Sequence, residues 1–161
     1  MKSLEKLETG LAWAVFVVTG IVMIMMVTVV ILSVVMRYIV GSPLVYSYDL
    51  STLLFAWAVF LGLALAEKSD GHLAIDLFSN KLTPRGTLVH QVIKSIIVIF
   101  ISTGTFWIGW KLFDRAGMVI PSMRISIGWL YASMPIGFAL LALEQLIKLL
   151  KSILTYQKGL S

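Results

Sequence analysis

Between Thr9 and Met36 no residue carries a charge. As a helix, at about 1.5 Å per residue, this run would be roughly 40 Å long, against a bilayer hydrocarbon core of about 30 Å. Three more uncharged runs follow, Leu50 to Ala66, Ser95 to Trp110 and Ile125 to Leu143. A water-soluble surface cannot be built around them. The chain has 161 residues, 59% of them hydrophobic and 13% charged, whereas soluble domains are about one quarter charged. The bilayer is therefore the solvent for most of the chain. The expected fold is an all-α integral membrane domain covering residues 1–161, with transmembrane helices at about 10–36, 50–66, 93–111 and 125–143. The first run is longer than a secretory h-region and no small-residue cleavage site follows it, so it is expected to stay as a tilted or protruding span.

The boundaries follow from where charge returns. Arg37 closes the first span near an interface, since a charge at mid-membrane costs about 2.5–3.5 kcal/mol on insertion scales. Gly41, Ser42 and Pro43 mark a turn. Tyr46 and Tyr48 suit an aromatic belt, and Asp49 opens the second span at the positive end of its helix dipole. After Glu67 the chain is polar up to Gly71, where a turn is expected. Residues 72–82, HLAIDLFSNKL, then space Leu73, Leu77, Phe78 and Leu82 on one helical face. His72, Asp76, Asn80 and Lys81 fall on the other face, so the segment reads as a short amphipathic interfacial helix. Thr83 and Pro84 are a cap and first residue for the third helix. Trp107, Trp110 and Arg124 mark the far interface.

Four spans put both termini on one side. Lys2, Lys6, Lys68, Lys81, Arg85, Lys94, Lys148, Lys151 and Lys158 lie on that side, against Arg37, Lys111, Arg115 and Arg124 on the other. Nine basic residues against four place both termini in the cytoplasm by the positive-inside rule. Arg37 and the basic residues of the second loop are lipid-phosphate candidates, although orientation signals already account for them.

Small residues recur at helical spacing inside the spans: Ala58, Gly62 and Ala66, then Thr105 and Gly109, then Ser133 and Gly137. Such stripes let membrane helices approach closely. Trp57 sits in the middle of the second span, where its indole N–H needs a protein partner. The second span is thus expected to be the organising element and to contact a partner. Pro135 interrupts the fourth span, and neighbouring helices can satisfy the carbonyl it leaves without a donor.

What the runs lack constrains function. None holds Asp, Glu, Lys, Arg or His, whereas ion-coupled sites place such groups inside the bundle or use broken helices. A self-sufficient homo-oligomeric exporter, the alternative reading, needs a membrane-embedded carboxylate, and Glu8, Glu67 and Glu144 read as span-end residues. His72 and His90 are the only histidines and neither lies within a run, so a haem-bearing redox anchor and a zinc site are not expected. Cysteine is absent. Asp49 and Asp76 lie on opposite sides and cannot form a catalytic pair. No phosphate loop, nucleophile elbow or metalloprotease helix is present. No enzyme activity, cofactor or metal is expected. The +5 net charge is dispersed among the loops, which excludes a nucleic-acid stripe.

The runs MRYIVGSP, YSYDLSTLLFAWAVFLGLALAEKSDGHLAID and WLYASMPIGFALLALE resemble the small, DctQ-type membrane subunit of the tripartite ATP-independent periplasmic (TRAP) transporters of bacteria. The most specific part is W-x-x-FLG-x-x-x-A followed by G-H-x-x-x-D, here Trp57 to Ala66 and Gly71-His72 to Asp76. Arg37 matches the family's arginine at the end of the first span. Tyr46 stands where members often have Trp, and one of a frequent pair of acids is missing beside Asp49. The resemblance implies a non-catalytic scaffold in the bacterial inner membrane. Its implied partner is a larger multi-span, elevator-type subunit carrying the sodium and substrate sites. A periplasmic binding protein would deliver organic acids such as C4-dicarboxylates or sialic acid.

Overall fold

The computed structural model of the chain describes residues 2–79 and 84–159, with side chains described from 9 to 67 and from 89 to 153. Four long helices account for nearly all of it: α1 (Lys2–Val35), α2 (Ser47–Ser79), α3 (Pro84–Asp114) and α4 (Gly128–Gly159). Each contains a stretch long and apolar enough to cross a membrane, at Thr9–Val40, Ser47–Glu67, Val89–Asp114 and Gly128–Ile153. No more than 28% of the most apolar window in any of these stretches is buried within the chain. Large side chains such as Trp13, Phe16, Ile24 and Phe100 point outward. That surface is stable only against lipid or another protein.

The principal contacts run α1 to α2, α2 to α4 and α4 to α3, with α1 touching α4 only slightly. The helices therefore stand in the order α1–α2–α4–α3. The centre is shared by α2 and α4, so the second span is not the sole organising element. In α4, Ala132, Ser133, Glu144 and Gln145 are buried.

At one end of the bundle, α1 runs into a π-helical turn, Met36–Val40, closed by Gly41 at φ 73°. Glycine suits this left-handed position because it has no Cβ to clash. The chain then returns to α2, where the Ser33 and Ser47 hydroxyls share a 2.9 Å hydrogen bond and Ser47 Oγ also donates to the Leu44 carbonyl. The link between α3 and α4 folds into a small antiparallel hairpin, β1 (Val119–Ile120) with β2 (Ile125–Ser126).

Two expectations need correction. The helix does not break at Gly71: α2 continues through His72 and Asp76 to Ser79. One glycine costs only about 1 kcal/mol in a helix interior, and no proline follows it there. Residues 72–79 thus prolong the second span's own helix, while 80–82 lie outside the described residues. The fourth helix begins at Gly128 and not at Ile125, because Ile125 and Ser126 pair with the other hairpin strand. Pro135 lies within α4 without ending it.

Candidate functional site

Three kinds of contact could carry function in a chain of this composition: close helix crossings, polar groups inside the bundle, and outward faces left open. The crossings are sharply localised. A Cβ added at Gly137 would lie 2.6 Å from both the Cβ and the carbonyl oxygen of Phe60. Only glycine lets the α4 backbone meet α2 at that distance. The Phe60 and Phe138 rings pack beside this point, 6.0 Å apart. A Cβ at Gly109 would lie 2.9 Å from Pro135 Cδ, so α3 is seated where the proline ring faces it. Ser133, fully buried, donates its hydroxyl to the Leu130 carbonyl at 2.6 Å, which removes a polar atom from the interface.

Gly62 behaves differently. A Cβ there would meet nothing within 4 Å, Ala58 is half-buried and Ala66 is exposed. This stripe is not filled by the chain's own helices. Trp57 does find a partner inside the chain, donating its indole N–H to the Trp129 carbonyl at 3.1 Å.

A polar cluster joins α2, α3 and α4 at the end of the bundle opposite the hairpin. Glu67 Oε1 accepts from Gln145 Nε2 at 2.6 Å, from Lys94 Nζ at 3.0 Å and from Lys148 Nζ at 3.3 Å. Lys148 also donates to the Glu67 carbonyl. Ser95 Oγ donates to Gln145 Oε1 at 3.4 Å, and Ser95 and Gln145 are almost completely buried. Glu67 and Lys148 side chains are 14% and 15% exposed, Lys94 38%, so the more buried ion pair joins α2 to α4, although the Lys94 pair is the shorter. Glu144 is buried one residue before Gln145 and lines a recess with Ala12, Val15, Ala64 and Leu140.

Glu67 and Glu144 read in the sequence as span-end charges, Lys94 as a residue of the second loop and Lys148 as part of the carboxyl tail. They instead lie within or at the edges of packed helices, because α3 and α4 run well past the uncharged stretches. Their periodic relation was visible: Glu144, Lys148 and Lys151 recur at helical spacing. The α3 face was missed as well. Ser95, Ser102 and Gly109 stand seven residues apart and all are buried. Thr105, the expected partner of Gly109, instead donates to the Ile101 carbonyl of its own helix.

At the other end, Asp49 accepts from Ser122 Oγ, tying the hairpin to the first turn of α2. Arg124 closes the hairpin turn with φ 55°, and it is exposed. Arg37 lies over the Tyr38 ring at 5.8 Å and Lys111 over the Trp107 ring at 5.7 Å. Tyr46, Trp107 and Trp110 are exposed. Trp110 packs between Phe106 and Phe113 along α3. Gly71, His72 and Asp76 belong to α2, but their side chains lie outside the described residues. Asp49 and Glu67, the acids at the two ends of the second span's uncharged run, thus each hold another element in place.

A row of four membrane helices, held by glycine crossings and an internal ion cluster and leaving most of its apolar surface outward, defines a small multi-pass membrane subunit. The family model for tripartite ATP-independent periplasmic transporters, DctQ component, matches residues 25–155. The chain belongs to that family, and it is a multi-pass protein of the bacterial inner membrane. It is similar to the sialic acid TRAP transporter small permease protein SiaQ of Vibrio cholerae, with 30% identity over 115 residues, 70% of this chain and 66% of that protein. It is also similar to the sialic acid TRAP transporter permease protein SiaT of Haemophilus influenzae, with 28% identity over 84% of this chain and 21% of the relative. A third relative, a TRAP transporter small permease protein of Haemophilus influenzae, is 31% identical over 48% of each chain. The matched regions thus span just under two thirds, about one fifth and about half of these relatives.

Proposed function

We propose that this chain is the non-catalytic small membrane subunit of a sodium-coupled, binding-protein-dependent importer of organic acids. In this reading it serves as a scaffold for a larger elevator-type membrane subunit, to which a periplasmic binding protein delivers substrate. Family membership supports the setting, and the names of the Vibrio and Haemophilus relatives favour a sialic-acid-like or related carboxylate cargo. The observation that carries the scaffold role is the contrast between two glycines. Gly137 is spent on the chain's own packing, whereas Gly62, with Ala58 and Ala66, leaves a small-residue track open to a neighbouring helix. Glu67, the carboxylate at the end of the second span's uncharged run, is already occupied by two ammonium groups and an amide.

The track is expected to meet the large subunit. Gly62→Leu should then reduce co-purification of that subunit with the tagged chain at least tenfold, while Leu63→Ala on the same helix leaves it near the unsubstituted level. Equal recovery in both variants would remove the track from the interface. The basic-residue bias places both termini in the cytoplasm and the hairpin in the periplasm. A phosphatase reporter fused after Ser161 should therefore be inactive and a fluorescent one active. The reverse pattern would invert the arrangement.

A further inference from the structure

Glu67, Lys94 and Lys148 meet where the membrane-long stretches of their helices end. Glu67 is the last residue of the stretch in α2, and Lys94 and Lys148 each stand five residues from an end of theirs, Val89–Asp114 and Gly128–Ile153. The α3 stretch is about 39 Å long as a helix, against about 30 Å of hydrocarbon. Lys94 therefore lies near the hydrocarbon edge, where a long side chain reaches the headgroups. Both ammonium groups donate to one carboxylate oxygen, Glu67 Oε1, which also accepts from Gln145. Two cations against one anion leave this trio a single excess positive charge. Glu144, the next acid along α4, lines the recess beside α1. The two lysines are not equivalent, since Lys148 is 15% exposed and Lys94 38%. The surface beside Lys94 is apolar and uncovered. Ile97 and Ile101 stand three and seven residues after it, on the same face of α3, and both are more than half exposed. Gly104, a turn further on, has nothing within 4 Å of where a Cβ would lie. It is about 15 Å along the helix from Lys94, half the hydrocarbon thickness and the depth one acyl chain reaches.

We propose that the outer side of the Glu67 cluster is a headgroup site for an anionic phospholipid. Lys94 donates to the lipid phosphate, and one acyl chain lies along Ile97 and Ile101 toward Gly104. Charge selects the ligand. A phosphatidylglycerol headgroup carries a single negative charge and cancels the excess, whereas phosphatidylethanolamine brings its own ammonium group and cancels nothing. Glu67 is a positioning residue here. It accepts one N–H of Lys94 at 3.0 Å and leaves the ammonium further donors for the phosphate. An orientation signal explains which side of the membrane a lysine occupies, but it needs neither a paired ammonium nor an apolar track beside it. The inference concerns the chain alone and does not rest on the scaffold role.

The test uses the full chain in vesicles of phosphatidylethanolamine doped with phosphatidylglycerol, with bromine on the acyl chains of one lipid or the other. A bimane fluorophore is attached to a cysteine introduced at Ile97, or at Ile24 on α1 as a reference. Both positions are exposed, and the native chain has no cysteine to compete. At Ile97, brominated phosphatidylglycerol is expected to quench as though enriched about fivefold over brominated phosphatidylethanolamine, the factor that one lysine facing an anionic lipid supplies. At Ile24 the two lipids should quench alike, mole for mole. K94Q should abolish the preference at Ile97, K94R should keep it, and soluble glycerol phosphate in excess should leave it unchanged. Equal quenching by the two lipids at Ile97, with Lys94 intact, overturns the proposal whether or not K94Q folds. So does an equal preference at Ile24, a preference that survives K94Q, or one that glycerol phosphate removes, since the last would assign the lysine to a free phosphate.

Discussion

Gly137→Leu is expected to separate α2 from α4. A Cβ at this position already falls 2.6 Å from Phe60 backbone and side-chain atoms, so the clash involves main chain that no rotamer change can relieve. Overpacking penalties usually run about 1–3 kcal/mol where side chains can shift. Here the helices must move apart, and the loss should reach at least about 3 kcal/mol. Thermal unfolding in detergent, followed by the chain's own tryptophan fluorescence, should show a large fall in midpoint or no folded protein at all. Gly62→Leu in the same assay should change stability by less than about 0.5 kcal/mol, as an unobstructed outward substitution does. Similar losses at both glycines would contradict the assignment of one to the internal crossing and the other to an open face.

Glu67→Gln is the second large effect. It leaves the carbonyl oxygen of the new amide to serve Gln145 or one lysine, but removes the charge that balances Lys148 in a site only about 15% exposed. Breaking a buried pair by removing one partner costs about 3–5 kcal/mol. Lys94, more than a third exposed, contributes little to that figure because water screens it. Glu67→Gln should therefore lower the unfolding midpoint well below that of Lys94→Met. If Lys94→Met proves the more damaging, the α2–α4 pair is not the centre of the cluster.

All four apolar runs read clearly as membrane helices, since bilayer thickness leaves few ways to place such stretches. Gly109 and Gly137 were also identifiable as close-packing positions, and both are buried at crossings. The sequence could not show which small residues face inward. Ala58, Gly62 and Ala66 have the same spacing as a packed stripe, but spacing is a property of one helix, and burial depends on which neighbour stands beside it. Ser95 and Ser102 escaped notice because serine reads as polar, although a small hydroxyl packs as closely as alanine against a facing helix.

The polar cluster was missed for a different reason. Hydropathy treats every charge as a boundary, so Glu67 and Lys94 border uncharged runs and Lys148 falls beyond one, although the helices α2, α3 and α4 continue past all three. Their meeting depends on the parallel alignment of α2 with α4, which brings together residues about eighty positions apart. The hairpin strands were too short to show an alternating pattern. At Gly71 the glycine signal was overrated, since a helix that is already long absorbs a single glycine without ending.

Reading the chain as a scaffold makes one demand that no property of the bundle alone satisfies: it must not transport by itself. Proteoliposomes containing only this chain, in a sodium gradient and with substrate-loaded binding protein outside, should take up no labelled sialic acid or C4-dicarboxylate above empty vesicles. Adding the large subunit should produce sodium-dependent uptake of one such acid. Uptake by the chain alone, abolished by collapsing the sodium gradient, would contradict the scaffold role outright.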